Sequence, residues 1–200
     1  MNALRRGCKP VALALLSASC ASTPVHYHTL VPAPAGNPSV SVGPAYRIEI
    51  APVRIPPQAD RYELVVRRSD GGIALADGEV WVASLADELR SAFLVELTRQ
   101  LGSPPGEQSA TPPTVSLRLE VERFESALGR YVLLEATWRV RVKSAAGEQS
   151  LDCFSSAFRR VGDGYDALVL GDQRAVVAVA DQIGLTVRQM ATGSVAACPK

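Results

Sequence analysis

Apolar and polar residues alternate most regularly in two stretches. Val115, Leu117, Leu119 and Val121 are interleaved with Ser116, Arg118, Glu120 and Glu122; Leu134, Ala136, Trp138, Val140 and Val142 are interleaved with Glu135, Thr137, Arg139 and Arg141. A period of two sends alternate side chains to opposite faces, so both are strands with one apolar and one wet face. A turn at Gly129 joins them, and the opposed charges on their wet faces suit antiparallel neighbours. Beyond Ala145-Ala146-Gly147 a third strand of weaker alternation covers Leu151 to Phe158. Nearer the N-terminus, Ile48, Ile50 and Val53 are broken by Glu49 and Arg54 until Pro56-Pro57 removes two donors and stops the ladder. A polar corner, Gln58-Ala59-Asp60-Arg61, precedes a second β-rich run, Tyr62 to Arg67; the glycines of Ser69-Asp70-Gly71-Gly72 then turn the chain into a short mixed run, Ile73 to Trp81.

Two helices complete the pattern. Leu85, Leu89, Phe93, Leu97 and Leu101 recur at every fourth place behind Ser84, whose hydroxyl is positioned to cap amides near Asp87, and Gly102 with Pro104-Pro105 ends the run. Arg90, Glu96 and Arg99 are assigned to its solvent side. From Tyr165 to Met190, Val169, Val176, Val179, Ile183, Val187 and Met190 form one stripe, with Gly171 and Gly184 either weakening the helix or permitting close packing. The fold class is α+β: a two-layer sandwich, a mixed β-sheet with two main helices packed on one face. In it Tyr46 to Val53 and Val115 to Arg123 are parallel strands of one crossover.

The first residues belong to targeting rather than to this fold. Arg5, Arg6 and Lys9 precede an apolar run, Val11 to Leu16, and small residues Ser17-Ala18-Ser19 lead to Cys20. This is a secretory signal, too short to span a bilayer. Leu16 to Cys20 is similar to a lipoprotein signal-peptidase box with Cys20 as the lipidated residue, although Ser17 stands where an aliphatic residue is usual. The competing reading is ordinary cleavage around Ala18 to Ala21 with Cys20 a free thiol. Ala21, in place of an aspartate, implies by analogy with lipoproteins the inner leaflet of the outer membrane. Residues 1–19 are thus the signal peptide, 20–45 the lipidated Cys and a Pro/Ser/Ala-rich tether, 46–191 a single domain and 192–200 a tail. The tether would reach about 25 to 30 Å as a coil. Within it, Tyr27 and Leu30 are the large nonpolar side chains expected to dock on the domain.

Removing the signal takes away three basic and no acidic residues, so the formal charge falls from +1 to about −2, which gives no footprint for nucleic acid. Cys153 and Cys198 remain for an oxidising compartment. They either form a disulfide that clips the tail to the third strand, or they are a small buried hydrophobe and a residue on a frayed tail; spacing does not choose. His26 and His28 are the only histidines, and no third ligand of matching reach is evident, so no metal site is expected. Glu120, Glu122 and Glu125 line a wet sheet face rather than forming a catalytic set. No nucleophile elbow, phosphate-binding glycine loop or H-E-x-x-H is present. An enzyme is not expected, and no cofactor is assigned.

The strand Ile48-x-Ile50-x-Pro52-Val53-x-Ile55-Pro56, the Asp60-Arg61 corner, Val65-Val66-Arg67, Tyr27-His28-Thr29-Leu30, Trp81 ahead of its helix and Gly164-Tyr165 opening the last one together resemble the paraquat-inducible protein C family. These are ABC-type transport auxiliary lipoproteins of Gram-negative envelopes. The resemblance implies a non-enzymatic, outer-membrane lipoprotein facing the periplasm, which docks on a periplasmic MCE-domain tunnel protein of an intermembrane lipid transport system and has a tendency to homo-oligomerise. The residues expected to meet the partner are Pro56, Pro57, Asp60, Arg61, Arg67, Trp81 and Tyr165. Two other readings stand beside it. One is a carrier of lipid or a small hydrophobic ligand, with a cavity lined by residues such as Phe93, Trp138 and Phe158; the other is an envelope assembly lipoprotein.

Overall fold

In a computed structural model of the chain, the described residues are 24–33, 46–102, 112–145, 147–192 and 196–199. Cys20, the signal peptide, most of the tether and the proline-rich loop over 103–111 therefore lie outside the described residues. The strands are β1 (His26–His28), β2 (Arg47–Ile50), β3 (Glu63–Arg67), β4 (Ile73–Trp81), β5 (Thr114–Ala127), β6 (Tyr131–Ser144) and β7 (Gly147–Arg160), and the helices are α1 (Leu85–Leu101) and α2 (Tyr165–Ala191). The strands form one mixed sheet in the order β1-β4-β3-β5-β6-β7, and β2 also pairs with β5. This is the α+β fold expected from the pattern of elements.

The longest ladders follow from the clearest alternation. β5, β6 and β7 form an antiparallel meander in which Leu117, Val140 and Leu151 lie opposite one another, as do Leu119, Trp138 and Cys153. Their inward side chains meet α2, whose stripe of Val176, Val179, Ile183 and Val187 is fully buried. β2 runs parallel to β5, as the crossover requires. β3 and β4 form a hairpin across Ser69–Gly72, with β4 covering the run Ile73–Trp81 that the sequence marked out. Gly171 fixes the approach of α2 to the sheet: a Cβ there would lie 2.2 Å from Val161 Cγ1 and 3.2 Å from Val132 Cγ2. Close packing, not helix weakening, is its role.

Ser84 caps α1, its Oγ accepting from Asp87 N at 3.3 Å. The leucine-phenylalanine face is buried as anticipated, but Glu96 is buried with it. It sits three residues after Phe93, so the helix turn carries it toward the α1–α2 contact and not to solvent. Burial opposes its charge, yet bonds from Arg99 and Gln100 outweigh that and hold the carboxyl below its usual range. Gln100 Nε2 also donates to Asp181 Oδ1 on α2 at 2.7 Å.

Two boundaries move. Residues 26–28, placed in the tether, form an edge strand parallel to β4. Leu30 is buried as expected, whereas Tyr27 is 70 % exposed because the strand's alternation turns it to the opposite face. At the other end, the tail is tied down: Cys153 and Cys198 are joined by a disulfide, and Ala196 packs against the core.

Candidate functional site

The sheet has two unlike faces. One is sealed by α1 and α2; the other carries the outward residues of every strand, charged along β5–β7, and no covering element among the described residues. The register gives this open face its rows. Arg118, Arg139 and Asp152 lie opposite one another across β5, β6 and β7, and Glu120, Thr137 and Phe154 form the next row. Between the Ala51–Arg54 segment and Cys198 these rows floor a groove of about 660 Å³. Arg139 Nε donates to Asp152 Oδ1 at 2.5 Å, and Arg54 pairs with Glu120. Arg118 has no side-chain partner among the described residues and stands opposite Arg139, a like-charge pairing that an incoming anionic group would relieve.

Further along the face the charges are mutually satisfied. Arg67 makes two bonds to Glu125, from Nε at 2.8 Å and Nη2 at 2.9 Å, and Arg123 joins the same carboxylate and Glu135. Burial works against the charge of Glu125, but the arginine bonds outweigh it and keep the carboxyl below its usual range. Glu122 accepts from Thr137 Oγ1. These glutamates line a wet face, as the alternation implied.

The residues expected to meet a partner do not form one patch. Trp81 is 3 % exposed: it points to the helix side, edge-on to His28 with ring centroids 6.4 Å apart, and is core rather than contact surface. Arg67 is occupied by Glu125. Tyr165 is half-buried against the core. Asp60 accepts from Ala86 N at 3.1 Å, so it braces the first turn of α1, and Pro56 O accepts from Ala59 N at 2.8 Å to close the corner. Outward at the corner are Pro57, Arg61 and Asp60, the last also bonded to α1, with Tyr62 beside them.

The segment around β1 is held by residues that the sequence did not single out. Glu79 on β4 accepts from His26 Nδ1 at 2.9 Å and from His28 Nε2; Glu88 on α1 accepts from Leu30 N at 2.7 Å and Thr29 Oγ1 at 2.8 Å; Gln173 on α2 donates to Thr29 O at 2.9 Å. Burial opposes the charge of Glu79, and the histidine bonds more than offset it, lowering the carboxyl's pKa. Glu88 falls three residues after Leu85, on the helix's buried face, which is the one sequence signal that pointed to it. The histidines thus latch a strand. Among the described residues no group of three or more His, Cys, Asp or Glu side chains is placed to hold a metal ion.

Phe93 and Trp138 belong to the sealed layer, Trp138 donating from Nε1 to Ser155 Oγ at 2.8 Å; Phe158 is 52 % exposed on the open face, stacked on Tyr131. The three do not line a common cavity.

The domain thus has one sealed layer, one sheet face uncovered among the described residues and an N-terminal strand latched to its edge. The chain belongs to the family of ABC-type transport auxiliary lipoprotein components, whose model matches residues 28–184. No curated protein matches the chain. Among solved structures, an uncharacterized protein matches with a TM-score of 0.57 at 16% identity, covering 84% of this chain and 100% of that one. A Xanthomonas campestris protein of the domain family DUF330 matches with a TM-score of 0.56 at 14% identity, covering 83% of this chain and 96% of that one. At such identities these likenesses speak for the fold alone. Among the described residues no helix is long and apolar enough to cross a membrane.

Proposed function

We propose that the protein is a non-enzymatic, outer-membrane lipoprotein, anchored through Cys20, that docks on a periplasmic MCE-domain protein of an intermembrane lipid transport system. The family supplies the transport assignment; the anchor, the membrane and the partner are this reading's own. The observation that carries docking over carriage is the uncovered β5–β7 face, where Arg118 lacks a counter-charge in a groove while the hydrophobic layer behind it is filled by Phe93, Trp138 and the α2 stripe. A partner carboxylate reaching Arg118 would relieve its pairing with Arg139. The outward corner residues Pro57 and Arg61 are the second contact region.

The test is a pull-down from detergent-solubilised envelopes with the full, C-terminally tagged protein, partners being identified by mass spectrometry. Recovery of an MCE-domain protein, lost with Arg118→Glu or Arg61→Glu in a protein that still folds, is the expected result. Recovery of stoichiometric phospholipid without any such protein would replace docking by carriage.

A further inference from the structure

From the β1 end of the sheet we infer a second surface: the open face of β1 and β4 rests on the lipid bilayer. The inference depends on the anchoring at Cys20 proposed above.

The chain length outside the fold is what identifies the occupant. From Cys20 to Val25, the first strongly exposed apolar residue described, there are five residue steps. Fully extended, they reach about 18 Å. A domain of this size has a radius of gyration of about 15 Å. The reach is therefore about one domain radius. A long tether would leave the domain free to tumble; this one brings the β1 edge, and not the far side of the molecule, against the membrane to which the cysteine is attached.

That edge is apolar where it would touch. Tyr27 lies opposite Val80, Val80 opposite Glu63, Leu75 opposite Val65 and Ile73 opposite Arg67, so Tyr27, Val80, Leu75 and Ile73 share the open face. Tyr27 is 70 %, Ile73 61 %, Val25 53 % and Leu75 50 % exposed. Scattered apolar residues on a soluble surface need no explanation, but these line one face of two paired strands, Tyr27 and Val80 at one end and Leu75 and Ile73 at the other with Asp77 between, and include a tyrosine, a side chain suited to the headgroup level with its ring in and its hydroxyl wet. Two acids border the contact, Glu63, half-buried opposite Val80, and exposed Asp77, and each would face the headgroup layer; Arg67 is spent on Glu125, and Arg68 pairs with Asp70. Sheet twist keeps this surface separate from the groove. At about 20° per strand, the five steps from β1 to β7 turn the face by about 100°. The groove then looks along the membrane or away from it.

The test places tryptophan at single positions, Tyr27→Trp, Ile73→Trp and, on β7, Phe154→Trp, in the acylated full-length mature protein. Each is reconstituted in vesicles of phosphatidylethanolamine and phosphatidylglycerol with brominated acyl chains. Trp81 and Trp138 are buried and give the same background in all three. The expected result is quenching of both the Tyr27→Trp and the Ile73→Trp proteins at least about twofold above the Phe154→Trp protein. Quenching at Tyr27 alone is tether proximity without a seated face and overturns the inference, as does equal quenching at all three positions. Intact mass separates the two layers of the argument. If Cys20 carries no acyl chain, the anchoring reading fails, and the same variants held to nickel-chelating lipid by a hexahistidine tag ahead of Ala21 decide the face by the same comparison.

Discussion

Replacing Cys198 with serine opens a covalent loop whose ends are separated by 45 residues and which contains the whole of α2. For a loop of that length, the entropy that a cross-link removes from the unfolded chain amounts to about 4 kcal/mol at 25 °C. The folded side changes little, because Cys153 is fixed without the bridge: its strand is paired residue by residue with β6, opposite Trp138. Cys198 is exposed, and apart from the bridge its sulfur only lies 3.1 Å from Asp152 O, with no proton to donate. The effect therefore resides mainly in the unfolded ensemble. Residual structure there reduces it, so the expected loss is about 2 to 4 kcal/mol. Urea unfolding followed by far-ultraviolet circular dichroism measures it as a lower midpoint for Cys198→Ser than for the parent. Adding reductant should bring the parent down to the variant and leave the variant unmoved. A loss below about 1 kcal/mol, or a reductant effect equal in both proteins, would refute the argument from loop length.

Three further outcomes follow from buried groups. Asp172 is fully buried, with Ser126 Oγ donating to Oδ1 at 2.8 Å and Oδ2 unpartnered; burial pushes its pKa well up, and the Ser126 bond opposes this only in part. The folded state thus keeps a proton that the unfolded chain releases above about pH 4, and stability falls by about 1.4 kcal/mol per pH unit from there until the folded group ionises. Asp172→Asn removes that slope, so its stability relative to the parent rises with pH; parallel stability curves for the two proteins would exclude a protonated Asp172. Gly171→Ala forces a methyl against Val161 and should cost about 1 to 3 kcal/mol, measured by thermal unfolding, and an unchanged melting temperature would mean that the helix simply shifts. Glu88→Ala leaves the buried Leu30 amide without its acceptor, a penalty of about 1 to 3 kcal/mol that should show as faster amide exchange at residues 28–31, with β6 unaffected.

The fold was legible where a periodic pattern decided it. The β5–β7 meander, the Ser84-capped helix and the α2 stripe all follow from repeats of two or near four, because burying one face of each is the dominant energetic requirement. The candidate site was less legible, because its residues were judged singly. Trp81 stands just ahead of a helix, which says nothing about which strand face it occupies; register with β1 and β3 decides that it is core. Arg67 is exposed by type and engaged by geometry, since Glu125 is 58 residues away and only the β3–β5 pairing brings them together. Glu79, Glu88 and Glu96 defy the expectation that carboxylates sit outside. Each is tolerated in the interior because histidine, arginine, amide or backbone donors surround it. The Tyr27 segment is the instructive case. Its docking was readable from Leu30, but its alternation, only three residues long, was too short to show that Tyr27 and the histidines point to opposite sides.

Because β1 is paired into the edge of the sheet, a pull transmitted to Val25 is borne by the fold. Force entering at Val25 passes into the parallel β1–β4 pairing and the carboxylates of Glu79 and Glu88, and from Glu88 into α1, whose first turn Asp60 braces from the Pro56–Arg61 corner. Latch, helix and corner are therefore one continuous set of contacts. A partner that displaced the corner would disturb the Asp60–Ala86 bond, and with it the helix that presents Glu88 to Leu30. On the proposed reading, the strength with which the N-terminal strand is held should respond more to occupancy of the corner than to occupancy of the Arg118 groove, which is built on β5–β7 and the Ala51–Arg54 segment and shares none of these bonds. Amide exchange at β1, compared between a partner bound through the corner and one bound through the groove, distinguishes the two docking regions without a structure of the complex.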